Sequence, residues 1–554
     1  MKMKTIILWI IAFGLVSLRF LRLDFDAAAN NISGITTWDE PYYTFSAMYD
    51  LIFSKPGFPA ELKANMTFEV INLHSSIFSK IGFFLLGNTM EGLRLGPVIV
   101  SLLTILVLFQ VLKKTFIVFD NNVISYKWLG LFILLTEPTF FMFSRAQTPQ
   151  IYSIFWISIL LYFVFQYTDT KKIIWLVLAS IISVFVVLWV YPYNIYVSIS
   201  LAAFVLLVAY ENKSWKIVVY AISGVISGFF VYLFLLKIYG FGLDDYITFM
   251  KSFRSWRNES DLSNRTVLSV ILSPLQILYT NLLRYNPMFF VLLIAMPLIV
   301  VKKANKGLFD KFLILVLFFA FIQAFGISSY PFKKWVTLFP VLFLSLPMLS
   351  NIINSTYDRR VLRRYIFYIL VVLILYKIQS IINSHEYWSG FDEWFIYQKP
   401  GILIEYGVLI FTFLSIVFFE LTSYYKIKRS IFCIYLILFQ FALMLRTSFI
   451  NQTDSFNSFT KKYSTYLNDK IILSNSEIYT LNSGAIVLYY YNSKELNFDK
   501  DITKRADEYT GRKRVVIKSY VPNHPLPTQE KWGDSTYLLK YTFEDSVYSF
   551  AIYE

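Results

Sequence analysis

Apolar residues recur along this chain in long blocks, separated by short polar stretches. The blocks run for about 17–23 residues, the length a helix needs to cross a bilayer's hydrocarbon core. Lipid offers no hydrogen bonds, so a spanning segment must satisfy its own backbone, and a helix does so. On this pattern spans are expected near 5–21, 96–112, 128–143, 151–166, 173–190, 194–210, 217–237, 286–301, 312–327, 336–350, 365–382, 402–421 and 430–446. That is about thirteen helices. The pattern changes after residue 447, where polar residues interrupt short runs at Lys470–Leu473, Ala485–Tyr491 and Arg514–Tyr520. These read as strands mixed with short helices, and Tyr537–Phe543 and Val547–Tyr553 read as a closing hairpin. The expected architecture is mainly α: a polytopic bundle over 1–446 and a small α/β domain over 447–554,.

The basic residues orient the bundle. Lys2/Lys4, Lys113/Lys114, Lys171/Lys172, Lys213/Lys216, Lys302/Lys303/Lys306, Arg359/Arg360/Arg363/Arg364 and Lys426/Lys428/Arg429 fall in every second loop. Positive loops stay inside, so the N-terminus is expected in the cytoplasm and the C-terminus outside. Arg19 and Arg22 stand on the wrong side for this rule and are outvoted. Ala27 and Ala29 resemble a signal-cleavage site, but Arg19, Arg22, Asp24 and Asp26 lie between them and the apolar run, so the first segment reads as a retained span,.

Composition agrees with a membrane location. The 554 residues are 56% hydrophobic, 19% aromatic and 16% charged, against roughly 25% charged in soluble domains. A net charge of +15 would suit nucleic acid, yet it sits mostly in short inner loops, where topology accounts for it. There is no zinc spacing, phosphate loop or dinucleotide fingerprint. Cys433 is the only cysteine, so no disulfide can form within the chain,.

Three outer segments are large, 22–95, 239–285 and 447 to the end, and they hold the candidate chemistry,. The first contains Thr37-Trp38-Asp39-Glu40-Pro41-Tyr42-Tyr43. Thr37 and Glu40 fit a capping box; equally, Asp39 or Glu40 fits a general base or a metal ligand. Downstream come Asn72-Leu73-His74-Ser75-Ser76-Ile77, and Arg94 at the opening of the second span. His74 alone is weak evidence, and Arg94 fits a snorkelling side chain as well as an anion contact. The third span carries Glu137-Pro138 and ends in Ser144-Arg145-Ala146-Gln147-Thr148-Pro149. Glu137 is either an intramembrane functional acid or an interfacial residue at a proline kink. Arg145 and the pair Lys333-Lys334 are positive in outer turns, against the orientation rule; the lysines fit a lipid phosphate and equally fit local snorkelling,.

The order of these pieces resembles the membrane glycosyltransferases of the GT-C fold, which include the protein mannosyltransferases and the aminoarabinose transferases that modify lipid A. The likeness runs over roughly residues 1–350: one span, an outer Asp-Glu with a nearby Tyr, a His-containing apolar stretch, an Arg-Leu, a Ser-Arg turn and a late basic turn followed by Pro340. Where such proteins often have His-Pro-Pro-Leu, this chain has His74-Ser75-Ser76-Ile77, a divergent form. The resemblance implies transfer of a hexose or pentose from a polyprenyl-phosphate donor to a hydroxyl of a glycan, lipid or protein, with inversion. It places the reaction at the outer face of a bacterial plasma (inner) membrane. It implies Asp39 as base, with Glu40 orienting it or sharing a divalent metal. Arg145, Lys333 and Lys334 would hold the phosphate, with Arg94, His74, Tyr43 and Glu137 in the substrate site. No other cofactor is implied. A polysaccharide polymerase or ligase uses the same donors. A lipid-linked glycan transporter would need polar mid-span residues and repeats, which are scarce here.

Overall fold

The computed structural model describes residues 2–21, 23, 73–87, 89–115, 126–190, 192–238, 242–247, 307–326, 336–345, most of 437–445, and 476–480, 513–520, 527–532, 535–544 and 549–553. These form a helical bundle and a five-stranded sheet. The expected spans at 286–301, 365–382 and 402–421 lie outside the described residues, as do the strands at 470–473 and 485–491.

The bundle opens with α1 (Lys2–Ser17), closed by a 3-10 turn over Leu18–Phe20. Next comes α2 (Leu73–Leu86), a helix inside what was expected to be the first outer loop. It packs along α3 (Met90–Thr115) at very close range. A Cβ on Gly82 would run into the Gly92 carbonyl, and one on Gly96 would lie 3.0–3.1 Å from Phe78. Only glycine lets these backbones approach so closely.

The third expected span, 128–143, is not one helix. It breaks into α4 (Tyr126–Thr136) and α5 (Pro138–Phe143). Glu137 takes extended backbone (φ −64°, ψ 116°). The proline that follows disfavours helical geometry there and has no N–H to continue the ladder. The Glu137 carboxylate then caps α5 by accepting from the Phe140 N–H,.

Beyond it run α6 (Pro149–Thr170), α7 (Ile173–Val184), α8 (Ile195–Glu211), α9 (Lys216–Ile238), α10 (Leu308–Gly326) and α11 (Phe339–Leu344). The last turn of α7 is a π-helix, Phe185–Val190, and a 3-10 turn over Pro192–Asn194 leads into α8. Four stretches among the described residues are long and apolar enough to cross a membrane: Glu91–Lys114, Pro149–Thr170, Ile173–Val190 and Lys216–Ile238. They match four of the expected spans, and Thr5–Phe20 and Ile195–Glu211 are shorter apolar helices at two more. Such a set makes this a multi-pass membrane protein. α9 nests on α7 through Gly224 and Gly228, whose added Cβ atoms would meet the Val177 and Ile181 carbonyls at 2.6 and 2.9 Å,. Its other face shows Ile226, Phe230 and Phe234, a surface suited to lipid.

One end of the bundle carries half-exposed ion pairs. Lys114 meets Asp169 at 2.6 Å and Lys311 meets Glu211 at 2.5 Å, tying the last turn of α3 to that of α6 and α8 to α10. This is the end that the loop charges place inside. The opposite end, called outer below, is where α1 finishes and α3 and α6 begin.

The sheet has strand order β1-β2-β5-β4-β3, with β1 (Ser476–Thr480) parallel to β2 (Lys513–Tyr520) and the other pairs antiparallel. β4 (Ser535–Glu544) and β5 (Ser549–Tyr553) form the expected hairpin. β1 and β3 (Gln529–Trp532) are additional strands.

Candidate active site

Three buried guanidinium groups stand at the outer end. Arg19 comes from the turn closing α1, Arg94 from the first turns of α3, and Arg145 from the turn between α5 and α6. They are 0%, 1% and 5% exposed, and Glu137 beside them is 2% exposed. Long cationic side chains are almost never buried this deeply unless paired.

Two of the three hold chain. Arg94 donates through Nη1 to the Leu23 carbonyl at 2.7 Å. Arg145 donates through Nη2 to the Leu21 carbonyl. Both bonds fasten the backbone that leaves α1 and leads into the segment with Asp39 and Glu40.

Arg19 is held differently. Its guanidinium lies over the rings of Phe140 and Phe141, 5.4 and 4.9 Å from their centroids. Arg145 lies over Phe141 as well, at 5.6 Å. One ring therefore serves two cations, a kind of contact worth about 2 kcal/mol or more when desolvated. None of the described residues offers Arg19 a hydrogen-bond acceptor, although all three of its nitrogens are buried. Glu137 is near enough to act on it electrostatically, but its carboxylate is engaged at the head of α5. Among the described residues the cluster sums to three positive charges against one negative.

Further contacts extend the site. Phe339 of α11 stacks on Phe140 at 5.1 Å. Gln440, from the last expected span, lies 3.4 Å from the Thr136 hydroxyl, next to Glu137. The Thr136 proton already goes to the Phe132 carbonyl at 2.8 Å, so the Gln440 amide fits better turned to donate. On α6, Tyr152 donates to Gln147 at 3.0 Å and its ring meets Phe78 of α2 at 5.9 Å. His74 stands one helical turn before Phe78; its side chain lies outside the described residues.

Of the nine candidate residues read from sequence, the structure brings Arg94, Arg145 and Glu137 together. Asp39, Glu40, Tyr43, Lys333 and Lys334 lie outside the described residues. Among the described residues no three side chains of metal-ligating type stand together. Sequence reasoning set Arg19 aside as a topological exception. The exception was itself the signal, since a cation at the outer end of an apolar helix needs a partner there.

No protein-family model matches this chain, and no curated protein sequence matches it. Solved structures do. ArnT from Cupriavidus metallidurans in the apo state superimposes with a TM-score of 0.52 over 100% of this chain and 98% of that one, at 12% identity. The same protein bound to undecaprenyl phosphate gives 0.53 over 99% and 97%, at 13% identity. At this identity the likeness is one of architecture, and the chain has the fold of ArnT, the GT-C fold that its motif order resembles.

Proposed function

We propose that this protein is a membrane glycosyltransferase that moves a sugar from a polyprenyl-phosphate donor to a hydroxyl group at the outer face of the membrane. The observation that carries the reading is Arg19, wholly buried at the outer end that also holds Arg94 and Arg145, and without a hydrogen-bond acceptor among the described residues. An isolated buried charge is costly, so this guanidinium calls for an anion. Guanidinium groups match phosphate oxygens in geometry as well as charge. The structural neighbour that carries undecaprenyl phosphate supports a lipid phosphate as that anion.

The chemistry follows from charge. A sugar joined to a polyprenyl phosphate leaves one negative charge on the phosphodiester. The acceptor oxygen attacks the anomeric carbon, the carbon–oxygen bond to phosphate breaks, and its electron pair stays on the phosphate. The acceptor proton passes to a base, the role proposed for Asp39. The departing phosphate gains a second negative charge as the bond breaks. A site that presents a buried guanidinium to the phosphate therefore binds the transition state better than the ground state, which is what accelerates a reaction. No strong general acid is needed, because the leaving group is already a stable anion. A single displacement of this kind inverts the anomeric centre. The Arg94 and Arg145 bonds to Leu23 and Leu21 fix where the Asp39 segment starts. Lys333 and Lys334 are proposed to add positive charge to the phosphate.

The test is transfer by purified full-length protein in detergent, offered a panel of polyprenyl-phosphate sugars with a membrane-glycan extract as acceptor. Wild type should release polyprenyl phosphate and label the acceptor, and folded Asp39→Asn should not. Equal transfer by both would move the base elsewhere, with Glu40 next. Failure of wild type to bind any polyprenyl phosphate would remove the reading.

A further inference from the structure

The short helix α5 cannot hold its own orientation. It has six residues, and the break at Glu137-Pro138 separates it from the line of α4. Isolated helices below about 12–15 residues are marginal even in favourable sequences, so the placement of α5 depends on what packs against it. That placement bears on the chemistry. Phe140, fully buried in α5, meets Arg19 through its ring and Glu137 through its backbone N–H. Where the Phe140 ring stands limits where the guanidinium can stand.

The ring is supported from α11. Phe339 lies 5.1 Å from it, with the two planes 10° apart. Phe343, one turn further along α11, continues the stack at 5.8 Å and 22°. Near-parallel rings at such separations are offset stacks, an attractive geometry. One guanidinium and three rings therefore follow one another in contact: Arg19, Phe140, Phe339 and Phe343.

The segment that supplies Phe339 is well fixed. All ten residues from Val336 to Ser345 are buried. A helix apolar on every side belongs in the interior, and close packing leaves it little room to shift. Thr337, two residues before Phe339, shares a 3.0 Å hydrogen bond with the Tyr196 hydroxyl on α8. Both side chains are 1% exposed. Breaking a buried hydroxyl pair is costly, so this bond holds the turn before α11 in place against α8.

We propose that Phe339 is a positioning residue for sugar transfer: it sets the Phe140 ring and, through it, the Arg19 guanidinium, while the bond between Tyr196 and Thr337 sets Phe339. This rests on the glycosyltransferase reading. Phe339 acts through Arg19 and not on the substrate. Its removal should therefore matter only while Arg19 carries its charge.

The experiment is a double-mutant cycle on purified full-length protein in detergent, with Phe339→Leu, Arg19→Met and the two combined. Each protein is assayed for transfer from the polyprenyl-phosphate sugar that wild type uses, and each is melted. Phe339→Leu should lower kcat by roughly twofold to tenfold, the share of one aromatic pair, with KM for the donor nearly unchanged. In the Arg19→Met background it should lower kcat no further. Tyr196→Phe removes a single oxygen and should follow the same pattern with a smaller loss; where Phe339→Leu does not fold, the cycle is run with this variant and the same outcomes decide. Val341→Ala is the control, since Val341 lies about 200° round α11 from Phe339; it should melt earlier and keep the wild-type kcat. An equal loss of kcat in both backgrounds, an unchanged kcat in folded Phe339→Leu, or an equal loss from Val341→Ala overturns the proposal. No transfer and no polyprenyl-phosphate binding by wild type overturns the glycosyltransferase reading instead. The melting temperatures of the four proteins then decide the coupling alone: a departure from additivity of about a degree or more supports it, and additivity overturns it.

Discussion

Replacing Arg19 with methionine should lower catalysis without lowering stability, and the two halves of that expectation have different causes. The guanidinium is fully buried, makes no hydrogen bond to the described residues, and is balanced only by a carboxylate engaged elsewhere. Its burial is a cost that packing against Phe140 and Phe141 offsets only in part,. Exchange of a buried ionic group for a well-packed apolar one of similar volume is often neutral or stabilising, by about 1–4 kcal/mol. Thermal unfolding of Arg19→Met should therefore occur at or above the wild-type temperature. Catalysis responds the other way. The site loses one positive charge, and the departing phosphate loses a charge-assisted contact worth about 1.5–3 kcal/mol. That is a loss of roughly tenfold to 150-fold in rate. Because phosphate charge grows toward the transition state, most of the loss should fall on kcat rather than on KM. Arg19→Lys should recover part of it, since charge returns without the planar fork. The assay is transfer kinetics beside a fluorescence melt on the same preparation. A variant that melts early while its surviving fraction turns over at the wild-type rate would refute the argument and make Arg19 a structural residue.

Glu137→Ala should do the reverse: it removes the cap of α5 and the only described counter-charge, costing about 3–5 kcal/mol as for a broken buried pair, read as a lowered melting temperature,. Gly82→Ala should prise α2 from α3, because its Cβ would enter the Gly92 carbonyl, and should reduce both the melting temperature and transfer,. Gly224→Leu should loosen α9 from α7 and cost stability by about 1–3 kcal/mol while leaving the kinetic constants of the folded fraction unchanged,. Lys114→Ala should change the melting temperature hardly at all, since its ion pair with Asp169 is roughly half exposed and such pairs contribute about 0–1 kcal/mol,.

Much of the bundle was legible because membrane helices announce themselves by length and apolarity, and four described helices coincide with spans read from the sequence. The errors have local causes. The segment 128–143 looked like one span because its apolar content is continuous; the break at Glu137-Pro138 comes from backbone chemistry that hydropathy does not weigh,. α2 was taken into a loop because its 14 residues are too short for a span. Two strands were missed, since β3 reads Gln-Glu-Lys-Trp and shows little of the apolar alternation that marks a strand,. The site was half legible. Arg94, Arg145 and Glu137 were flagged by position, and Arg19 was marked only by standing against the orientation rule. The weight of Arg19 lies in the partners it lacks among the described residues, and that appears only once the neighbouring helices are in place.

The three arginines divide one task between them. Arg94 and Arg145 spend hydrogen bonds on the carbonyls of Leu23 and Leu21, although the same groups are suited to phosphate. A guanidinium has five N–H donors, so one bond to the backbone leaves others for different partners. The bonds fix the exit of α1 and so limit where a base carried on the following segment can stand. They also fix Arg19 itself, two residues before Leu21. Arg19, which holds no backbone, is the member with all its donors left for a ligand. A site arranged in this way sets the position of base and phosphate together. It follows that Arg145→Lys, which keeps the charge but not the reach of the fork, should impair positioning more than charge. Its pattern would be a lowered kcat with near-normal affinity for polyprenyl phosphate, whereas loss of affinity with kcat retained would assign Arg145 to the phosphate alone.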